Sequence, residues 1–196
     1  MRPGGIVLTS HMLEEARLCP GARILDIGCG RGRSVAWLCG QGFDAAGIDC
    51  SASLAADGRR SCPGIRLQTA DARALPFETG SCDGVLAECV LSLIPGKQVM
   101  DEIRRVLKPA GILMVSDLYD VGGQRQDVSE MGWRRRMETA GFEVRYFEDQ
   151  TPALKSFAAQ LIWEGKSLSG LRECAGCRLP EKPGYFTLVA ARRRDD

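Results

Sequence analysis

The chain has 196 residues, of which 44% are hydrophobic, and its 26 lysines and arginines nearly balance its 25 acidic residues. A chain of this length can bury one sizeable core, so we expect a single domain over residues 1–196. The net charge of +1 excludes a general attraction to nucleic acids or anionic membranes, and no apolar run reaches the roughly 18 residues of a membrane span. Because the N-terminus lacks an export signal, we expect a cytoplasmic protein with a small-molecule partner.

Residues 1–20 predict a helix that would lie over the site as a lid. Ser10 is the expected cap, and Met12, Leu13 and Ala16 follow at helical spacing. The only histidine, His11, lies in this segment. It is a candidate general base, and the alternative is a capping or solvated side chain.

The next stretch combines a buried strand with a glycine-rich turn. Residues Ile24 to Ile27 suit a strand buried on both faces, and glycines then alternate over residues 28–32 before a helical pattern begins at Ser34. A dinucleotide fingerprint would need a further glycine where Arg33 stands, so a nicotinamide oxidoreductase is not favoured. The carboxylate of Asp26 beneath the turn favours a ligand that carries an ammonium group over a phosphate.

The segment Leu25-Asp26-Ile27-Gly28-Cys29-Gly30-Arg31-Gly32 resembles the first motif of the class I S-adenosylmethionine-dependent methyltransferases. The resemblance implies S-adenosyl-L-methionine as cofactor, with Gly28 and Gly30 against its methionine part and Asp26 at its amino group. It also implies cofactor contacts at Ile27 and Cys29. The alternative is a plain tight turn in another α/β sheet.

Two further acids follow predicted strands. Residues 43–49 predict a second strand ending in Asp49, which is the expected ribose ligand, with Cys50 beside it. The alternative for Asp49 is a cap of the helix that follows. A third predicted strand precedes Asp71 and Ala72, where the resemblance implies contacts with the adenine amino group and a ring nitrogen. A turn-forming aspartate is the alternative there.

The fourth predicted strand, residues 83–87, runs into Glu88 and Cys89, which would face the reacting methyl group. Glu88 is a cofactor contact and the candidate base. Cys89 and Tyr119 are candidate acceptor contacts, and Tyr119 follows a fifth strand predicted at residues 112–117. The helix between the two strands is predicted to end in a turn at residues 108–111.

From Cys89 to Tyr119 the chain is similar to the arsenite methyltransferase branch of the class. That resemblance implies binding of trivalent arsenic at Cys89. The branch carries a further cysteine-bearing segment after the fifth strand, where this chain has Val121-Gly122-Gly123-Gln124-Arg125-Gln126. A thiol that is simply buried is the alternative for Cys89.

The C-terminal part predicts one helix and two more strands. Asp127 and Glu130 have the spacing of a capping box, with Met131 on the inner face of the helix and residues 134–136 on a solvated face. Strands at residues 143–148 and 185–191 follow. The family order implies a doubly wound, Rossmann-like α/β sheet of seven strands, in the order 3-2-1-4-5-7-6 with the last strand antiparallel.

Between the last two strands, residues 149–184 form an insertion with an amphipathic helix. Its apolar face is a candidate lid over the substrate, a candidate homodimer contact, or a surface that docks on the sheet. Cys174 and Cys177 have the spacing of metal or redox ligands, and no second pair completes a four-ligand zinc site.

The patterns together predict methyl transfer from S-adenosylmethionine to a small-molecule acceptor. The alternatives are methylation of a thiophilic metalloid such as arsenite, a non-catalytic S-adenosylmethionine-binding module, and a metal or redox protein built on the cysteines.

Overall fold

The computed structural model describes residues 2–94, 96–166 and 180–194. The strands of this part are β1 (Arg23–Ile27), β2 (Asp44–Asp49), β3 (Arg66–Thr69), β4 (Cys82–Glu88), β5 (Leu107–Asp120), β6 (Phe142–Asp149) and β7 (Pro183–Arg192). The helices are α1 (Gly5–Ala16), α2 (Arg33–Gly40), α3 (Ala52–Ser61), α4 (Gln98–Val106), α5 (Glu130–Thr139) and α6 (Thr151–Trp163).

The strands form one seven-stranded sheet in the order β3-β2-β1-β4-β5-β7-β6. Strands β1 to β5 are parallel, and β7 runs antiparallel between β5 and β6. The predicted fold class and strand order are therefore confirmed. Because parallel strands share one carboxyl edge, Ile27 of β1, Asp49 of β2 and Glu88 of β4 end at the same edge of the sheet.

Helices cover both faces of the sheet, so two cores form. One core contains the apolar sides of α4 and α5, represented by Ile103 and Trp133. The other contains Met12 of α1, Val35 of α2 and Ala55 of α3. This arrangement is typical of a doubly wound sheet, in which the strands are buried on both faces.

Three local predictions were wrong. Helix α1 begins at Gly5, five residues before the predicted cap Ser10, because Gly4 with a φ of 67° turns the chain into the helix. Helix α5 is capped by Ser129, whose hydroxyl accepts from the amide of Gly132 at 3.1 Å, so the predicted capping box does not form. Met131 is 79% exposed, whereas Trp133 is buried.

The predicted solvated face at residues 134–136 is also wrong for Arg136. Its guanidinium donates to the carbonyl oxygen of Leu91 at 3.1 Å and stacks over Trp133, with 5.0 Å to the ring centroid. Strand β5 begins at Leu107, earlier than predicted, and Ala110 within the expected turn has a φ of 64°. Residues 108–111 pair with neither β4 nor β7, so the predicted turn lies as an irregularity within the first part of β5.

Helix α6 supplies the predicted helical insertion between β6 and β7. Its buried Leu154 packs with Leu8 of α1 and Tyr185 of β7 in a small third cluster. This cluster holds α1 and α6 beside each other at the carboxyl edge of the sheet. Among the helices of the described residues, none has the length and apolar character to cross a membrane.

Candidate active site

The turn after β1 depends on glycine at Gly28. Its φ is 72°, a conformation that side chains with a Cβ rarely adopt, and a Cβ there would lie 2.7 Å from the side chain of Val90. The amides of Gly28 and Cys29 both donate to the carbonyl oxygen of Ile48, each at 2.9 Å. The turn is thus attached to β2, and its backbone faces open space at Gly30, where a Cβ would meet nothing within 4 Å.

Asp49, at the end of β2, links two neighbouring turns. One oxygen of its carboxylate accepts from the amide of Gly30 at 2.8 Å, and the other accepts from the amide of Ser51 at 2.8 Å. The side chain therefore supports the backbone beside the glycine turn. Its predicted role as a ribose ligand stays a prediction.

Two buried carboxylates lie at this edge, Asp26 of β1 and Glu88 of β4. Burial raises the pKa of Asp26 well above its ordinary value, with further increases from the charges of Glu88 and Asp49 and an opposing decrease from Arg2. Burial also raises the pKa of Glu88, although its contacts oppose that shift. The site thus holds two acidic groups whose ionised forms are disfavoured by burial and favoured by Arg2.

Both carboxylate oxygens of Glu88 have partners. Oε1 accepts from the hydroxyl of Thr9 at 3.0 Å, while Oε2 accepts from the hydroxyl of Ser34 at 3.0 Å and forms an ion pair with Nη2 of Arg2 at 2.7 Å. These partners come from the N-terminal segment, α1 and α2. Glu88 is therefore a tightly held charge, and proton abstraction by it would require one of these contacts to open.

Cys89 follows Glu88 in a left-handed conformation with a φ of 55°. Its Sγ lies 3.0 Å from the hydroxyl of Tyr185, and that hydroxyl donates to Ser116 at 2.9 Å. Burial, followed by the charge of Asp117, raises the pKa of the Cys89 thiol to about 12. The thiol is therefore protonated at neutral pH.

A cavity of about 930 Å³ opens over these groups. Its floor includes both buried carboxylates and the glycine turn, and its walls come from α1, α2, α3 and α6. The described residues that line it are Arg2, Gly4, Gly5, Ile6, Val7, Asp26, Gly28, Cys29, Gly30, Arg31, Arg33, Ser34, Leu54, Glu88, Cys89, Ala153, Ser156, Phe157 and Gln160.

The cavity walls differ in charge. The side near the strand ends carries the carboxylates and Arg2, with the exposed Arg31 and Arg33 beside them. The side formed by α1 and α6 carries neutral side chains only among the described lining residues, including Val7 and Phe157. The volume lies within the range of small-molecule sites, which is roughly 300–1,000 Å³.

The structure brings together only some of the predicted site residues. Asp26, Gly28, Cys29, Gly30, Glu88 and Cys89 line the cavity. The thiol of Cys29 is directed toward the sheet, because a Cβ on Gly47 would lie 2.7 Å from its sulfur. Burial is the main cause that raises the pKa of this thiol.

Other predicted residues lie outside the described cavity lining. Asp71 is exposed and holds Arg73 in an ion pair at 2.8 Å, while Ala72 is buried in the core. Ile27 is also buried in the core, and Cys50 is exposed. Tyr119 packs edge-on against Phe147 and Phe186, with 5.9 Å between ring centroids in each pair.

His11 does not line the cavity in the described part of the chain. Its Nε2 lies 2.7 Å from the hydroxyl of Tyr146 and 3.1 Å from a carboxylate oxygen of Glu148. It therefore connects α1 to β6. Cys174 and Cys177 lie outside the described residues, and residues 2–94, 96–166 and 180–194 contain no cluster of three or more potential metal ligands.

Sequence reasoning missed Arg2, Thr9 and Ser34 as partners of Glu88. Arg2 carried one signal, since Gly4 and Gly5 follow Pro3 and allow a sharp reversal of the chain. Both glycines have left-handed φ values, 67° and 51°. Thr9 and Ser34 lie in ordinary helical patterns, so the local sequence did not indicate that they contact Glu88.

Residues 25–115 match a family model described as methyltransferase domain. Among curated proteins, the chain is 36% identical over 99 residues to a demethylmenaquinone methyltransferase of Beutenbergia cavernae, covering 50% of this chain and 41% of that protein. It is 32% identical over 130 residues to methyltransferase GfsG of Streptomyces halstedii, covering 62% of this chain and 46% of that protein. The chain spans about half the length of the curated relatives it matches.

Solved structures show the same fold. Geranyl diphosphate C-methyltransferase of Streptomyces coelicolor A3(2) superposes with a TM-score of 0.76 at 18% identity, covering 95% of this chain and 79% of that one. The [4+2]-cyclase SpnF superposes with a TM-score of 0.74 at 23% identity, covering 96% of this chain and 80% of that one. Residues 25–115 are therefore similar to a methyltransferase domain, and the chain shares the fold of these solved structures.

Proposed function

We propose that the protein transfers a methyl group from S-adenosyl-L-methionine to a small-molecule acceptor. The observation that carries this proposal is the pair of buried carboxylates, Asp26 and Glu88, below a glycine turn at the floor of a cavity of about 930 Å³. A ligand with an ammonium and a sulfonium group satisfies such a floor, whereas a dinucleotide phosphate would be repelled. The match over residues 25–115 supports the same cofactor.

Individual residues then receive proposed roles in cofactor binding. Asp26 binds the amino group, and Gly28 and Gly30 let the backbone approach the methionine part. Asp49, which already orients the amide of Gly30, is at the right strand end to meet the ribose hydroxyls. Asp71 and Ala72 follow the neighbouring strand β3 and are the proposed adenine contacts.

The sulfonium of the cofactor supplies the transferable methyl group. The chain's own contribution is to align an acceptor, exclude water and hold the charge of the floor, and orientation of this kind contributes about 7–11 kcal/mol in well-positioned systems. Glu88 acts in this proposal as a fixed charge, since both its oxygens have partners. Cys89 contacts the acceptor, while the packing of Tyr119 against Phe147 and Phe186 gives it no proposed contact.

The acceptor is proposed to lie between α1 and α6. The described residues of that wall are neutral, and Val7, Leu54 and Phe157 present apolar surface to the cavity. Val7 is 75% exposed, so an acceptor that covers it would remove apolar surface from water. A largely apolar, uncharged acceptor suits this wall better than a charged one.

The arsenite alternative is favoured by one observation, the position of Cys89 in the cavity wall beside Glu88. The raised pKa of that thiol opposes it, because trivalent arsenic binds the thiolate. The remaining alternatives are a non-catalytic cofactor-binding module and a metal or redox protein built on Cys174 and Cys177. The cyclase SpnF has the same fold, so turnover needs its own measurement.

Thermal unfolding with added ligand tests the cofactor. We expect S-adenosylmethionine and S-adenosylhomocysteine to raise the midpoint temperature of unfolding, because a ligand at 100 times its Kd stabilises the folded protein by about 2.7 kcal/mol. We expect NAD to leave that temperature unchanged. The variant D26N should lose most of this shift. D101N, an exposed change on α4, is the matched control and should keep it. A shift with NAD alone would overturn the proposal.

Activity arms separate the alternatives. Binding of S-adenosylmethionine without methyl transfer to any of a panel of apolar phenols, quinols and amines would favour the non-catalytic module. Methylation of arsenite with glutathione present, abolished in C89S, would favour the metalloid acceptor. Bound metal in the purified chain that is lost in C174S would favour the metal protein.

A further inference from the structure

Arg2 reaches into the cavity from the segment before α1. Its Nη2 contacts Glu88 at 2.7 Å and Ser34 at 3.1 Å, and it also contacts the hydroxyl of Thr9. The side chain of Arg2 is 19% exposed and that of Glu88 is 5% exposed. This is a largely buried ion pair, for which loss of one partner leaves an uncompensated charge.

The reversal at Gly4 and Gly5 explains how Arg2 reaches this position. Both glycines are left-handed, so the chain folds back over the first turn of α1, and Arg2 also contacts the carbonyl oxygen of Gly5 at 3.4 Å. A Cβ on Gly4 would overlap the side chain of Leu8. The position of the guanidinium therefore depends on the packing of α1, and Arg2 lines the cavity only when α1 is in place.

The buried charges near the floor do not balance. Asp26 and Glu88 can each carry a negative charge, and Arg2 carries one positive charge. Because Arg2 pairs directly with Glu88, Asp26 remains as the carboxylate available to a cationic ligand. Without Arg2, two buried carboxylates would repel each other and compete for one proton.

We propose that Arg2 is a positioning residue that neutralises Glu88, so that Asp26 alone binds the cation of the ligand and the charge of the site depends on docking of α1. The ligand-binding part of this inference rests on the proposed function. The docking part does not, since it concerns contacts within the chain. N-terminal docking and cofactor affinity are thus linked through a single ion pair.

Other charged and titratable groups near the pair are retained in every variant. Those that affect Asp26, Glu88 or their neighbours are Asp49 of β2, Cys29 of the glycine turn, Cys89 after β4, Asp117 of β5 and Tyr185 of β7.

The first arm of the test measures docking without any ligand. Hydrogen exchange of the α1 amides is compared among R2M, E88Q, the double variant R2M/E88Q and R135M, which removes one exposed charge on α5 as the control. R2M should exchange about tenfold faster than R135M, because an unpaired carboxylate is left buried. The double variant should return to within about threefold of the parent, because it leaves neither charge unpaired.

The second arm measures the affinity for S-adenosylhomocysteine across pH 4 to 8. R2M should move the pH at which affinity is lost upward by about one unit, because the guanidinium no longer favours the ionised form of Asp26. In R2K the affinity should be lost at the same pH as in the parent, and in R2M/E88Q that pH should return toward the parent's value. A purely structural role would weaken binding equally at every pH.

The outcomes separate this inference from the proposed function. If the α1 amides exchange hydrogen at the same rate in R2M and R135M, the proposed role of Arg2 is wrong. It is also wrong if R2M binds S-adenosylhomocysteine more weakly but loses affinity at the same pH as the parent. If the parent does not bind S-adenosylhomocysteine, the proposed function fails, and the exchange arm alone then decides whether Arg2 holds α1.

Discussion

Two regions of the site are built in different ways. The strand-end region, formed by β1, β2, β4 and the glycine turn, is held by backbone hydrogen bonds and by packing against glycines, as at Gly28 and Val90. The helical cover is formed by α1 and α6. Met12 of α1 is buried in the second core, α6 packs through the small cluster around Leu154, and polar contacts such as Thr9 with Glu88 connect α1 to the floor.

The difference indicates where rigidity and adaptability reside. Groups that would bind an invariant cofactor lie on closely packed strand ends, which hold their positions within narrow limits. Several groups that would bind the acceptor lie on α6, in which Leu154 is the buried residue, and a helix with so few buried contacts opens at a lower free energy. Acceptor choice can therefore change by substitution in the cover while the cofactor floor stays intact.

The largest effect should come from the strand-end region, in G28A. Alanine there adopts a left-handed conformation, at about 1–2 kcal/mol, and overlaps Val90, at about 1–3 kcal/mol, so the free energy of unfolding should fall by roughly 2–5 kcal/mol. G30A is the matched control, because its φ is also left-handed while its Cβ meets open space. Urea unfolding measures both. Equal losses in the two variants would show that Val90 does not constrain the turn.

The helical cover should respond less strongly to L154A. Leu154 is buried against Leu8 and Tyr185, so its truncation should cost about 2–3 kcal/mol, at the low end for a buried leucine, because its cluster is small. S156A, on the exposed side of the same helix, is the control. In L154A, the amides of α1 and α6 should lose protection against hydrogen exchange, whereas those of β1 and β4 should remain protected. Uniform loss of protection would mean that the cover and the sheet unfold as one unit.

The smallest effect is a dependence on pH that separates D26N from the parent. Because the pKa of Asp26 is raised in the folded state above its ordinary 3.8, the folded protein keeps a proton that the unfolded chain has already lost. The parent's free energy of unfolding should therefore fall, relative to that of D26N, as pH rises above about 4 and until Asp26 ionises in the folded state. D101N should show no such divergence. Parallel curves for D26N and the parent would contradict the raised pKa.

Local patterns in the sequence predicted the strands and the glycine turn, and the resemblance to the class I methyltransferases implied the order of the strands in the sheet. The strand and the turn follow from local patterns, since the largely apolar run at residues 24–27 suits a buried strand, and the glycines at 28 and 30 have φ values that other residues rarely adopt. The acids Asp26, Asp49 and Asp71 also fell at or just beyond strand ends as expected. Whether all three bind one ligand stays a prediction.

Only the tertiary structure decided how Glu88 is held and what covers the cavity. Arg2 and Glu88 are 86 positions apart, and α6 meets α1 through Leu154 and Leu8, so no local pattern could reveal either contact. The same holds for Tyr119, which was predicted to follow the fifth strand but lies within β5 and packs against Phe147 and Phe186. Local propensities determine which elements form, whereas the direction of a side chain and its partner depend on how distant elements pack.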